Sequence, residues 1–126
     1  MIEVEKRIYY HDTDAGGVVY YANYLKYFEE ARTEFLRGKG IDVRELAKSG
    51  TLFVIRRVEI DYKSPARYGN IIKVTAEISK VKNVSLEFSQ CVKRKDQILV
   101  CAKIQLVCIN TSFQPKALPA NIIQRL

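Results

Sequence analysis

Between Ala22 and Arg37 the chain carries an apolar stripe at helical spacing: Tyr24, Phe28, Ala31 and Phe35 follow one another at steps of four, three and four. Lys26, Glu30, Thr33, Glu34 and Arg37 fall largely off that stripe, no proline interrupts it, and Gly38 and Gly40 supply a stop. Such a helix is too apolar on one side to stand free. It requires a sheet to cover it, and the rest of the sequence supplies one.

Ile2–Tyr10 reads as a first strand, with charged and apolar positions alternating after Val4. A short second helix is signalled at Asp42-Val43-Arg44-Glu45, where Asp42 caps the N-terminus and Glu45 reaches back; Gly50 ends it. After Gly50 the period becomes two. Phe53–Lys63, Ile71–Lys82, Ser85–Arg94 and Ile98–Asn110 read as strands, with a loop at Ser64–Asn70 and a tight turn near Lys95-Asp96. A tail with Pro115 and Pro119 ends in a short Ile122-Ile123 segment. One long helix with five strands predicts an α+β fold: an antiparallel sheet with the helix on one face and sheet edges that a second copy can pair.

The 126 residues suit one domain, residues 1–126. No apolar run reaches the ~18 residues of a membrane span, and Met1–Arg7 lacks the apolar segment of a signal peptide; the expected location is the cytoplasm. Cys91, Cys101 and Cys108 show no CxxC spacing, and with a single histidine a metal site is not expected. The expectation is buried free thiols. A hairpin of the last two long strands would set Cys91 and Cys101 nearly opposite, with a disulfide disfavoured in a reducing compartment. The net charge of +7 suits a polyanion, a phosphate-bearing small molecule or an anionic membrane surface. The basic residues are scattered, and a solvated surface explains them equally well.

Chemistry concentrates in Tyr9–Tyr21, which holds Asp12, Asp14, the lone His11, Gly16-Gly17 and four tyrosines. Asp-Thr-Asp followed by Gly-Gly is turn chemistry. A carboxylate in a glycine turn that opens a helix lies beside free backbone N–H groups, two parts that acyl transfer needs.

The run Arg7-x-x-Tyr10-x-Asp12-Thr13-Asp14-x-x-Gly17-x-Val19-Tyr20, followed by Tyr24-Leu25, Glu29-x-x-Arg32, Tyr62-Lys63-Ser64-Pro65-Ala66-Arg67 and Lys116-Ala117-Leu118-Pro119, resembles the 4-hydroxybenzoyl-CoA thioesterase branch of the hotdog superfamily. Within it, the match is nearest to the YbgC-type acyl-CoA thioesterases associated with the Tol–Pal system, and it covers almost the whole chain. The resemblance implies a hotdog fold, five antiparallel strands wrapped around a central helix. It also implies homodimers that associate further into homotetramers, with active sites at the subunit interface and no cofactor.

By the same resemblance Asp14 is the catalytic carboxylate, as nucleophile or as general base, and a backbone N–H near Tyr21 at the helix start holds the thioester oxygen. Tyr21 stands where YbgC-type members often have histidine, so only the N–H role transfers. Tyr10 matches a tyrosine that positions substrate. Gly16, Gly17 and Val18 are expected to line the substrate, and Lys82, Asn83 and Ser85 align with the stretch that binds coenzyme A phosphates. Arg56, Arg57 and Arg67 are weaker candidates for that task.

The substrate expected is an acyl-CoA or an acyl carrier protein, with no nucleic acid and with peripheral membrane contact left open. Asp12 is expected to fix the turn, Glu29 and Arg32 to form an ion pair, and Tyr20, Tyr21, Tyr24 and Tyr27 to pack. Two rival readings stand beside this one: a hotdog hydratase or dehydratase using His11, and a non-catalytic module that binds polyanions.

Overall fold

A computed structural model describes residues 1–126. Five strands, β1 (Ile2–Arg7), β2 (Leu52–Tyr62), β3 (Ile71–Val81), β4 (Ser85–Arg94) and β5 (Gln97–Ile109), form one antiparallel sheet in the order β1-β3-β4-β5-β2. The helix α1 (Asn23–Gly38) packs across one face, mainly against β3 and β1. This is the hotdog arrangement. Register slips at Ile55/Arg57, Ile78/Lys80 and Val92/Lys93 are bulges, which bend and twist a sheet locally.

The expected stripe is the buried face of α1: Tyr24, Phe28, Ala31 and Phe35, joined by Tyr27 and Leu36. It meets the inward-facing residues of the strands, Ile72, Val74 and Ala76 of β3, Phe88 and Val92 of β4, and Val100, Ile104 and Leu106 of β5. Phe35 meets Phe88 edge to face at 5.5 Å between ring centroids. The opposite face of the sheet carries the charged half of each alternation, including Glu59, Lys73, Glu87 and Lys103.

Several expectations are corrected. The first strand stops at Arg7, not Tyr10, because the Asp12 carboxylate accepts the Tyr9 N–H and draws Tyr10–Asp12 into a single 3₁₀ turn. The short helix α2 (Val43–Lys48) is capped by Asp42, whose Oδ1 accepts the Arg44 N–H at 2.9 Å. Glu45 does not reach back; it pairs with Lys48 at 3.2 Å. The tail forms a helical turn, α3 (Ala120–Ile123), behind Pro119.

The expected Glu29–Arg32 ion pair does not form. Arg32 turns into the core, where its Nη1 donates to Gln90 Oε1 at 3.0 Å. Gln90 Nε2 in turn donates to the carbonyls of Phe28 and Thr75. Burial holds the Arg32 guanidinium below its usual pKa, with Glu29 partly offsetting the effect. Glu29 stays on the surface beside the Thr33 hydroxyl.

Cys108 is a buried free thiol. Cys91 and Cys101 are not. They are register partners on the outer face, 4.2 Å apart at Cα, and face each other as a cross-strand disulfide. No helix is long and apolar enough to cross a membrane.

Candidate active site

The segment between β1 and α1 is tied down from both sides. Ile8 is buried; its N–H donates to the Asn70 carbonyl at 2.8 Å, and its carbonyl accepts the Gly69 N–H at 2.9 Å. Those bonds fix the segment to the start of β3. Asp12, only 6% exposed, does the rest. Its carboxylate accepts the Tyr9 N–H and the Tyr27 hydroxyl, each at 2.8 Å. Its main-chain carbonyl accepts the Tyr20 N–H at 3.0 Å and Asn23 Nδ2 at 2.9 Å. Asp12 therefore fixes the turn, as expected, and joins it to the first residues of α1. Burial, and then the bond to Asp12, hold the Tyr27 hydroxyl well above its usual pKa.

From there Thr13 pairs with Val19, and the Asp14 N–H reaches the Val18 carbonyl at 2.9 Å, which leaves Asp14–Gly17 as a tight, exposed tip. Asp14 Oδ1 accepts the Gly16 N–H at 2.8 Å. A Cβ at position 16 would stand 3.2 Å from that oxygen, so glycine there gives the carboxylate room. Gly17 has φ +79°, a conformation that side-chain-bearing residues rarely adopt. Val18 bridges to Arg67, and the Val19 N–H donates to the Ala66 carbonyl at 2.9 Å. Arg67 is thus placed beside this turn, while Arg56 and Arg57 lie on β2.

The chain then enters α1 with donors to spare. The Tyr20 and Asn23 N–H groups are occupied, whereas those of Tyr21 and Ala22 donate to nothing in the chain. Ala22 offers no side-chain cap. Unpaired N–H groups at a helix start carry the positive end of its dipole. Beside them a cavity of about 250 Å³ opens, lined by Val19, Tyr21, Tyr24, Tyr62 and Pro65 among others. The Tyr24 hydroxyl accepts the Ala66 N–H at 3.1 Å, and burial raises its pKa. Tyr62 has no site role in the sequence, only a place in a strand and at the head of the Tyr62–Arg67 run that carries the resemblance; its alternation with Val58 and Ile60 is the signal that it faces inward.

Other expected site residues lie elsewhere or stand open. Tyr10 is 80% exposed, its ring edge-on to Tyr68 at 6.1 Å. The His11 side chain is solvent-exposed, stacked on Tyr9, with Asp12 Oδ1 3.8 Å away. Lys82, Asn83 and Ser85 do not meet Asp14 within one chain. Lys82 and Asn83 sit in the β3–β4 turn and Ser85 opens β4, and β3 runs 11 residues away from the Asp14 end, about 33 Å at strand rise. There Lys82 and Ser85 line a cleft of about 280 Å³ on the outer sheet face with Lys103 and with Arg57 and Lys80, which pair with Glu59 and Glu87 of the same cleft. Glu29, Glu30 and Glu34 face an open groove against β1, away from the turn. No three or more His, Cys, Asp or Glu side chains converge as a metal site would require.

One short segment of chain thus carries an exposed carboxylate, free amide donors and one wall of a small aromatic cavity. That set can hold a carbonyl oxygen and present an oxygen base or nucleophile to its carbon.

Residues 16–101 match the model of the thioesterase superfamily. The acyl-CoA thioester hydrolase YbgC of Escherichia coli O6:H1 is 38% identical over 119 residues, covering 93% of this chain and 89% of that protein. The acyl-CoA thioesterase YbgC of Haemophilus influenzae is 38% identical over 118 residues, covering 92% and 87%. Among solved structures, a probable thioesterase from Bartonella henselae superposes with a TM-score of 0.89 at 36% identity, covering 94% of this chain and 98% of that one. A hypothetical protein from Aquifex aeolicus reaches 0.95 at 27% identity, covering 100% and 99%.

Proposed function

The chain belongs to the thioesterase superfamily, and we propose that it hydrolyses acyl-CoA thioesters at the junction of the Asp14 turn and α1. The observation that carries this reading is the pair of unused N–H groups at Tyr21 and Ala22, joined through Asp12 to the turn that presents Asp14. The thioester oxygen sits against those donors. As the carbonyl carbon becomes tetrahedral its oxygen gains negative charge, and the helix start stabilises that charge more than the ground state; losing one such donor costs about 3 kcal/mol.

Asp14 attacks the carbonyl carbon to give a mixed anhydride, or takes a proton from a water that attacks it. In either route the thiolate of coenzyme A leaves without a strong general acid. Tyr10, Gly16, Gly17 and Val18 border the substrate. His11 lies out in solvent beside Asp12, so no observation favours a hydratase.

The phosphate-binding assignment of Lys82, Asn83 and Ser85 requires a second copy. β2 ends the sheet and leaves one edge unpaired. Two copies of β2 paired antiparallel set the Tyr62 end of one beside the Leu52 end of the other. In each copy the Leu52 end lies next to the β3–β4 turn, because Leu52 pairs with Ile109 and Ser85 with Val107. A homodimer of this kind, able to associate further into a tetramer, carries the basic cleft of one copy towards the Asp14 turn of the other. The same cleft suits the phosphopantetheine arm of an acyl carrier protein.

The test is release of free thiol from short, long and aromatic acyl-CoA esters by wild type and by Asp14→Asn. Turnover that falls at least ~100-fold in the folded variant identifies both reaction and carboxylate. Turnover unaffected by the substitution removes Asp14 from the chemistry, and no turnover on any ester removes acyl-CoA as the substrate.

A further inference from the structure

Tyr62 is the last residue of β2 and shares its inward face with Val58 and Ile60. That face carries its ring onto the start of α1. It lies 5.7 Å from the Tyr24 ring and edge-on to the Tyr21 ring at 6.4 Å. Its hydroxyl donates to the main-chain carbonyl of Tyr21 at 3.1 Å. No main-chain N–H reaches that carbonyl, and no side-chain cap holds Ala22. The Tyr62 hydroxyl is therefore the one hydrogen bond on the peptide that joins Tyr21 to Ala22.

A trans peptide is planar, and its C=O and N–H point in opposite directions. Whatever anchors the Tyr21 carbonyl therefore aims the Ala22 N–H. A bond into the carbonyl oxygen also polarises the amide and strengthens its N–H as a donor. We propose that Tyr62 is a positioning residue for the reaction: its hydroxyl locks the Tyr21–Ala22 peptide so that the Ala22 N–H faces the thioester oxygen. This rests on the thioesterase reading above. Burial, followed by the neighbouring Tyr21 and Tyr24, raises the Tyr62 pKa and keeps the hydroxyl protonated as a donor.

Tyr62→Phe keeps the ring and removes the bond. With acyl-CoA substrates the variant loses about 10-fold in kcat, the scale of one modest hydrogen bond. KM stays within about twofold, because the donor matters most once charge develops on the oxygen. Inhibition by free coenzyme A, which has no acyl carbonyl, is unchanged, and so is the thermal midpoint.

An unchanged kcat in Tyr62→Phe overturns the proposal. If Asp14→Asn abolishes turnover in the same assay, the thioesterase reading survives that failure. A parallel loss of kcat, KM, coenzyme A inhibition and thermal midpoint also overturns it, since that pattern belongs to a merely structural tyrosine. Wild type inert towards every acyl-CoA removes the thioesterase reading and this proposal with it.

Discussion

Asp12 and Asp14 lie two residues apart in a turn and meet different surroundings. Asp12 is enclosed, with both carboxylate oxygens occupied by the Tyr9 N–H and the Tyr27 hydroxyl; Asp14 is exposed and holds one contact, the Gly16 N–H. The buried pair of Asp12 and Tyr27 has a consequence at high pH. Folding raises the Tyr27 pKa, so above the ordinary tyrosine value of about 10 the unfolded chain releases a proton that the folded chain keeps. The stabilisation is fully present below pH 10 and is lost as pH rises beyond it. The thermal midpoint of wild type is expected to fall more steeply between pH 9.5 and about 11 than that of Tyr27→Phe. Equal slopes in the two proteins would remove Tyr27 as the titrating group.

At the scale of elements, α1 and the sheet are joined by apolar packing and by one buried polar network. Phe28 and Phe88 are fully enclosed, and apolar burial of this kind is worth about 1.5–3 kcal/mol per large side chain. The network of Arg32, Gln90, Phe28 and Thr75 adds direction, since its donors and acceptors are satisfied in one placement of the helix. Arg32 has no carboxylate within ion-pair distance, and Gln90 is its side-chain partner. Gln90→Leu is expected to destabilise by about 2–4 kcal/mol, because it leaves a buried guanidinium without an acceptor. The double variant Arg32→Met, Gln90→Leu is expected to recover most of that loss, as chemical denaturation would measure. Failure to recover would mean that the Phe28 and Thr75 carbonyls, left without the Gln90 amide, dominate the cost.

At the scale of the molecule, the proposed assembly depends on the free edge of β2. Ile55, next to the bulge in that strand, is 51% exposed although it pairs with the buried Leu106 of β5. A second β2 laid alongside covers it. Ile55→Asp is expected to shift the mass in solution, measured by light scattering, from an assembly of two or more copies to one, with thioester hydrolysis falling in step. A variant that remains assembled and fully active would place the interface elsewhere.

Elements and their faces were legible in the sequence because they are written in local periods. The 3.6-residue stripe gave α1, and alternation gave the inward faces of β2 and β3. The Asp14 turn was legible from Asp-Thr-Asp-Ala-Gly-Gly, in which backbone conformation and side-chain capping follow from residue type. By itself the sequence determined the class of fold, the long helix that had to be covered, and the glycine turn that carries Asp14. Tertiary structure decided what depends on how distant segments align. The helix-to-sheet placement turned Arg32 to Gln90, 58 positions away, instead of to Glu29. The β4–β5 register brought Cys91 and Cys101, expected nearly opposite but as free thiols, together as a disulfide. The end of β2 brought the Tyr62 hydroxyl to the Tyr21 carbonyl, 41 positions away. Each of these contacts requires atoms to meet within about 3–4 Å across segments whose separation the chain sequence leaves free, and only the packed sheet and helix fix that separation.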